Sequence, residues 1–157
     1  MGYYLTRAAV AFLFGLVIGC YLNTLEYRLR SDLKLSDGEC HCTKCGAKIR
    51  LRDQIPVIGY LMLGGKCRNC GAGIGINYPL VEAGSALFYM ICAIVTQRSI
   101  LGFAVITIIA NLLFVFISNA IRGKIAFGKK QLAGICSLLG LHLVITIGMA
   151  MINIVYT

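Results

Sequence analysis

Four long apolar stretches alternate with polar segments along this chain. Each is long enough to cross the hydrocarbon core of a bilayer as a helix, which takes about 20 residues. They run from Tyr3 to Leu25, Leu80 to Thr96, Ile100 to Ile121 and Leu132 to Val155. The pattern predicts an all-α polytopic membrane protein with four transmembrane helices. We expect a first transmembrane helix in residues 1–27, a polar loop in residues 28–79 and three further transmembrane helices in residues 80–157, at 80–96, 100–121 and 132–155.

The composition excludes a water-soluble enzyme. Hydrophobic residues make up 59% of the chain and charged residues only 13%, and the mean hydropathy is +0.82, which is too apolar for a soluble domain. The net charge is +9, and 13 of the 15 basic residues lie in the first loop and in the connection between the third and fourth stretches. The positive-inside rule therefore predicts cytoplasmic loops, with both termini outside. Orientation and attraction to anionic headgroups account for this charge without a nucleic-acid partner.

The first stretch allows a second interpretation. Val17-Ile18-Gly19-Cys20 follows an apolar run and a basic Arg7, as in a bacterial lipoprotein cleavage box, and cleavage there would leave Cys20 lipidated. Cleavage would also export the basic loop, against the charge rule. The sequence therefore favours an intact first helix. Its row of small residues, Ala11, Gly15 and Gly19, predicts close approach of another helix, within this bundle in preference to a partner.

The strongest chemical signal is a set of four cysteines in the polar loop. Cys42-x2-Cys45 is followed after 21 residues by Cys67-x2-Cys70, a pattern typical of two knuckles that supply a tetrahedral zinc site. Two disulfides are the alternative, and a reducing cytoplasmic loop favours the metal. We expect a zinc-ribbon-like loop in which four thiolates close the coordination sphere, so that the zinc is structural and not catalytic.

Polar residues in the last two stretches fall at helical spacing and are expected to face inward. They are Asn111, Ser118 and Asn119 in the third stretch and His142, Thr146 and Asn153 in the fourth. Interhelical hydrogen bonds explain such stripes most simply. His142 has no second ligand at helical spacing, so it does not indicate a metal site.

Residues around the knuckles carry a resemblance to a known family. Asp53-Gln-Ile-Pro56 follows the first knuckle, and Tyr78-Pro79-Leu-Val-Glu82 enters the second apolar stretch. With the knuckles, this order resembles type IV prepilin peptidases, and the first stretch agrees at Gly15, Gly19, Leu22, Asn23, Arg28 and Leu29. Cys20 and Arg30 depart from the serine and proline usual there. The resemblance is specific over residues 15–82 and weaker beyond.

The resemblance implies a bifunctional inner-membrane enzyme of type IV pilus or type II secretion biogenesis. Such enzymes cleave the leader of prepilins and pseudopilins and then methylate the new N-terminus with S-adenosylmethionine. The retained part is the N-terminal domain that is associated with methyl transfer. The candidate residues for substrate binding or methyl transfer, near one cytoplasmic interface, are Asn23, Glu26, Arg28, Tyr78 and Glu82. The alternative for Glu26 and Glu82, which the sequence favours, is a structural ion pair with Arg28 or another basic residue of the loop.

The peptidase half of that activity is expected to be missing. An aspartic dyad needs two carboxylates close together, and the three aspartates, Asp32, Asp37 and Asp53, all lie in the first loop. The position expected for the first family aspartate lies near Asn119, and an amide cannot act as a general base. The second aspartate belongs to a later helix, which this chain, ending at Thr157, is expected to lack. We therefore predict a pseudoenzyme with respect to peptidase activity.

Two hypotheses follow from these observations. The chain is an S-adenosylmethionine-dependent methyltransferase acting on prepilin-like N-termini, or a non-catalytic membrane adaptor that binds a prepilin-like helix or a pilus-assembly subunit. Gly71-Ala-Gly73-Ile-Gly75 follows a knuckle and not a strand, so it is read as loop geometry and not as a cofactor fingerprint. Whether a second membrane subunit completes the site stays an open question.

Overall fold

Four long helices dominate the part of the chain that the structure describes. In the computed structural model the residues that can be described are 2–30, 40–96, 99–121 and 129–156. The helices are α1 (Gly2–Arg30), α2 (Ile58–Met62), α3 (Asn77–Val95), α4 (Ile100–Ile121) and α5 (Lys129–Tyr156), with a 3₁₀ turn at Leu51–Gln54. All except α2 are long and apolar enough to cross a membrane. The predicted all-α architecture with four candidate membrane-spanning helices is confirmed.

Helices α1 and α3 pack with their backbones in contact. A Cβ atom placed on Gly15 would lie 2.6 Å from the Cα atom of Ala86, and one on Gly19 would lie 2.6 Å from the Cα atom of Glu82. Only glycine permits this approach, because real Cβ atoms do not come so close to backbone. The small-residue row therefore packs inside the bundle, which is the alternative that the sequence favours over a partner helix.

The start of α3 accommodates a proline. Pro79 is the third residue of this helix and is buried. The first N–H groups of a helix have no intrahelical acceptor, so the missing N–H of a proline costs no hydrogen bond at this position. The tyrosine-proline motif therefore lies inside the first turn of α3, directly after the second knuckle.

Helices α4 and α5 complete the bundle around a smaller shared core. Phe103 packs edge-on against Tyr89 of α3, with ring centroids 5.9 Å apart, and Leu138, Ile145 and Met149 of α5 are fully buried. The outward faces of both helices carry exposed apolar side chains, such as Leu101, Leu113, Leu143 and Val144. In lipid these faces need no protein cover.

A buried arginine ties α1 to the far end of α3. Arg7 is 1% exposed, and its Nη2 donates to the carbonyl oxygen of Thr96 at 3.0 Å. The last carbonyls of a helix lack intrahelical donors and carry the negative end of its dipole, so a guanidinium is favoured there. The sequence pattern marks Arg7 only as a charge near the N-terminus and does not reveal this contact.

Candidate functional site

Two nearly identical turns build the cysteine knuckles. The N–H of Gly46 donates to the Cys42 carbonyl at 2.9 Å, and the N–H of Gly71 donates to the Cys67 carbonyl at 2.9 Å. Both glycines have positive φ, 69° and 71°, a conformation that glycine adopts without steric cost. Isolated antiparallel bridges, His41 with Lys48 and Lys66 with Gly73, close the turns. The Gly71–Gly75 run is therefore knuckle geometry.

The two knuckles bring four thiols together. The Sγ atoms of Cys42, Cys45, Cys67 and Cys70 all lie within 4.8 Å of one another, and those of Cys42 and Cys70 are 3.9 Å apart. Tetrahedral zinc with Zn–S bonds of about 2.3 Å requires sulfur–sulfur distances of about 3.8 Å. The donor set and its spacing therefore fit a tetrahedral metal ion held by thiolates.

Backbone N–H groups donate to two of these sulfur atoms and favour the thiolate form of Cys42. The backbone N–H groups of Lys44 and Asn69 approach the Sγ atoms of Cys42 and Cys67 at 3.5 and 3.4 Å. The pKa of the Cys42 thiol is lowered to about 6 by the backbone N–H groups of Lys44 and Cys45. Because the thiolate is the metal ligand, such donors favour metal binding.

An ion pair fixes the second knuckle to the segment between the knuckles. The guanidinium of Arg68 donates through Nε to Asp53 Oδ2 at 2.9 Å and through Nη2 to Oδ1 at 2.7 Å. This bidentate geometry is the strong form of a carboxylate–arginine contact. The bonds from Arg68 hold the pKa of Asp53 below its usual range. Asp53 is therefore a structural carboxylate in this loop.

Glu82 joins the loop to the membrane helices. This side chain of α3 is 9% exposed, and its Oε2 accepts the backbone N–H of Val57 at 2.7 Å. Val57 has φ of 61°, a genuine strain for a β-branched residue. Strain of this kind persists only where the surroundings impose it. The carboxylate of Glu82 therefore holds a strained backbone turn of the loop against α3.

Asn23 connects α1 to the start of α3, where the loop contacts Glu82. Its Nδ2 donates to the Tyr78 carbonyl at 2.9 Å, and its side chain lies beside the Glu82 carboxyl group. The structure thus brings together three of the predicted site residues, Asn23, Tyr78 and Glu82, where the loop, α1 and α3 meet. Val57 is a fourth member that the sequence does not reveal, because no residue pattern marks its unusual φ.

The remaining candidates lie along the end of α1. Glu26 lines a small cleft between α1 and α4 together with Leu22, Leu25, Phe114, Ser118 and Asn119. Asn119 is buried, and its Nδ2 donates to the Val115 carbonyl of its own helix at 3.0 Å. Arg28 is half-buried near the end of α1. Glu26 and Asn119 therefore share a cleft between α1 and α4.

A second polar cluster lies deep in the bundle. His142 Nε2 is 2.7 Å from the Tyr89 hydroxyl and 2.6 Å from Asn111 Nδ2, and the same Nδ2 donates to Tyr89 at 2.7 Å. All three side chains are buried, so helices α3, α4 and α5 are joined by hydrogen bonds. The inward polar stripe of α4 and α5 is confirmed for Asn111, Asn119 and His142. The Asn153 side chain lies outside the described residues.

Comparison with known proteins gives the family. The model of the bacterial peptidase A24 N-terminal domain matches residues 13–96. A type 4 prepilin-like proteins leader peptide-processing enzyme of Escherichia coli O78:H11 (strain H10407 / ETEC) is 34% identical over an alignment of 117 residues, gaps included, and the match covers 63% of this chain and 44% of that protein. A prepilin leader peptidase/N-methyltransferase of Pseudomonas putida is 36% identical over an alignment of 115 residues, gaps included, and the match covers 58% of this chain and 38% of that protein.

A third relative extends the same finding to another organism. A prepilin leader peptidase/N-methyltransferase of Myxococcus xanthus (strain DK1622) is 33% identical over 85 residues, 54% of this chain and 25% of that protein. The chain thus spans less than half the length of these relatives. No solved structure matches it. Because the family model covers more than half of the 157 residues and takes in both knuckles, Asn23 and Glu82, the chain belongs to the bacterial peptidase A24 N-terminal domain family.

Proposed function

We propose that this chain is the substrate-holding, N-methyltransferase-associated part of a prepilin peptidase-type protein of the bacterial inner membrane. It acts in type IV pilus or type II secretion biogenesis and holds the N-terminal segment of a prepilin-like protein. The observation that carries the proposal is the buried carboxylate of Glu82, which accepts the Val57 N–H of the loop and lies beside Asn23 of α1, where the loop meets the membrane helices. The similarity to a protein named prepilin leader peptidase/N-methyltransferase supports the proposal.

The chemistry of Glu82 suits an amine substrate. A prepilin-like N-terminus carries an ammonium group, and a carboxylate at the membrane boundary attracts it most strongly where water is scarce. Because Val57 occupies Oε2, Oε1 is the atom proposed to accept a hydrogen bond from the substrate nitrogen. Asn23 would keep the carboxylate oriented. S-adenosylmethionine, when bound, would supply the methyl group.

We propose zinc as the occupant of the four-thiol cluster. Four cysteine thiolates in tetrahedral spacing are typical of structural zinc. The ion would hold the loop in the form that lets Val57 reach Glu82. The cluster therefore acts on the site through the loop backbone and does not touch the substrate.

The proposed orientation places this loop in the cytoplasm and both termini outside. The excess of basic residues in the two loops supports it. Labelling a Thr43→Cys variant with a membrane-impermeant thiol reagent tests it, in a background in which the exposed Cys136 is replaced by serine. Labelling only after the cells are opened agrees with the proposal, and labelling of intact spheroplasts contradicts it.

We also propose that these 157 residues have no prepilin peptidase activity by themselves. The three aspartates lie in one loop, Asp53 is committed to Arg68, and Asn119 carries an amide bonded to its own helix. A dyad that shares one proton needs two neighbouring carboxylates. Leader-cleaved product from this chain, expressed with a prepilin in a strain lacking the endogenous enzyme, would contradict this proposal.

The adaptor hypothesis has one observation in its favour. The cleft between α1 and α4 is lined by apolar side chains with Glu26 and Asn119 among them. Such a lining would contact an apolar helix that carries one polar side chain within the membrane. A prepilin-like helix or a second membrane subunit would then bind there without chemistry.

A methyl-transfer assay separates the two functions. Purified, metal-loaded protein is incubated with S-adenosylmethionine and a cleaved prepilin-type peptide that has a free N-terminal phenylalanine, and the peptide mass is measured. We expect a methyl increment that Glu82→Gln abolishes although glutamine still accepts the Val57 N–H. Glu39→Gln, which neutralises a loop carboxylate outside the candidate set, serves as the matched control and is expected to keep activity. No methylated product from folded, metal-loaded protein contradicts methyl transfer and favours the adaptor.

A further inference from the structure

The loop presents an exposed apolar face that no described residue covers. Between the two knuckles, large apolar side chains point outward from the 3₁₀ turn and from α2, and they are Leu51, Ile55, Ile58, Leu61 and Met62. Within α2, Ile58, Leu61 and Met62 are three and four residues apart and so lie on one side of that helix. Leu51 is 86% exposed and Leu61 is 69% exposed. A cluster of this kind in a water-exposed loop indicates a contact with something apolar.

The opposite side of the same segment is packed. Gly59 is buried, and a Cβ atom placed there would lie 2.2 Å from the Asp53 carbonyl oxygen. Gln54 donates to the Ile49 carbonyl at 2.7 Å, and Asp53 is paired with Arg68. These inward contacts fix which side faces out. The exposed face is therefore a stable property of the fold of residues 51–62.

The contact between Val57 and Glu82 fixes the position of this face along the axis of α3. Val57 lies in the middle of the segment, and Glu82 follows the first residue of α3, Asn77, by five positions. Five residues of helix correspond to about 7.5 Å along the axis. The neighbouring Leu80 of α3 is exposed as well. The face thus lies level with the first turns of a candidate membrane-spanning helix.

The charge around the face favours an anionic partner. Residues 40–76 contain six basic residues and one acidic residue, Asp53. Arg50 and Arg52 flank the face, and both are exposed. A divalent ion on four thiolates would contribute a charge of about −2, which leaves the segment positive. Apolar side chains bordered by arginines are typical of segments that lie in the headgroup region of an anionic membrane.

We propose that residues 51–62 form an interfacial segment that inserts its apolar face into the anionic phospholipid leaflet next to the start of α3. The segment lies in the membrane plane and does not cross it. Lipid thereby holds the loop from one side while Glu82 holds it from the other. This inference does not depend on methyl transfer and stands or fails separately from it.

Tryptophan fluorescence tests the proposal directly, because the chain contains no tryptophan. Leu61→Trp and Met62→Trp place single reporters on the face, and Thr43→Trp places the control reporter at an exposed position of the first knuckle. Each full-length, metal-loaded variant is reconstituted in vesicles of phosphatidylglycerol and phosphatidylcholine, with and without lipids brominated on the upper acyl chain. Metal content and circular dichroism confirm folding.

The face reporters and the control reporter are expected to differ clearly. Emission of both face reporters should be blue-shifted and quenched by brominated lipid several-fold more than that of Thr43→Trp, and the difference should shrink in pure phosphatidylcholine. Equal quenching of face and control reporters would overturn the proposal. A prepilin-type peptide that fully displaces lipid from the face would also overturn it, since the occupant would then be a protein.

Discussion

The two halves of this molecule are held together in different ways. In the first half, α1 and α3 touch backbone to backbone at Gly15 and Gly19, and the knuckled loop is bonded to them through Glu82. In the second half, α4 and α5 present broad apolar faces outward, and a polar trio of Tyr89, Asn111 and His142 joins them to α3. The family model ends at residue 96, close to the end of α3.

This difference explains where the sequence carries information. Backbone contact requires glycine at particular positions, and a thiol cluster requires cysteine at particular spacings. Helix faces that meet lipid require only that a side chain be apolar. A specific family signature is therefore expected in the first half and a general hydrophobic pattern in the second.

The largest expected effect comes from removing a thiol of the metal cluster. Cys67→Ser should lose the metal and unfold the loop, because metal binding by four thiolates supplies about 10 kcal/mol or more of folding free energy. Metal analysis measures the loss of the ion, and limited proteolysis within residues 40–76 measures the unfolding of the loop. Cys40→Ser is the matched control, since Cys40 lies outside the cluster. Retention of the metal by Cys67→Ser would show that the cluster is not the site.

The glycine contacts give the next largest effect. Gly19→Ala should destabilise the α1–α3 pair by about 1–3 kcal/mol, because its new Cβ atom would overlap the backbone of Glu82. Gly140→Ala in α5 meets nothing within 4 Å and should be neutral or stabilising by up to about 1 kcal/mol. Unfolding in mixed detergent compares the two variants. Equal effects would contradict the contrast between the halves.

The Glu82 contact with the loop should have an intermediate effect. Glu82→Ala leaves the Val57 N–H without its acceptor, at a cost of about 1–3 kcal/mol. Glu82→Gln retains an acceptor and should lose less. Amide hydrogen exchange of residues 55–62 reports the release of the loop. Unchanged exchange in Glu82→Ala would mean that the loop is held by other contacts.

The polar trio should give the smallest effect. Asn111→Leu removes hydrogen bonds to Tyr89 and His142 and should cost about 0.6–2 kcal/mol, the range for such bonds between membrane helices. Thr146→Val is the control, because the Thr146 hydroxyl donates to the His142 carbonyl of its own helix. A thermal unfolding scan in detergent compares them. A larger loss in the control would contradict the role of the trio.

The sequence was most informative where chemistry restricts residue choice. Hydropathy alone predicted four candidate membrane helices, and cysteine spacing predicted the thiol cluster, which the structure brings within 4.8 Å. The small-residue row predicted close packing but not its partner, α3. The positive φ of Val57 and the contact of Arg7 with Thr96 were not predictable, because each depends on where distant segments meet in space.

The most direct test of a metal-held loop is the coordination of the wild-type protein. The purified, reduced full-length chain is analysed for metal content and by X-ray absorption at the zinc edge. One zinc ion per chain with four sulfur neighbours at about 2.3 Å is the predicted result. A metal-free protein whose four loop cysteines are joined as disulfides, or a zinc shell dominated by nitrogen and oxygen, would contradict the central claim.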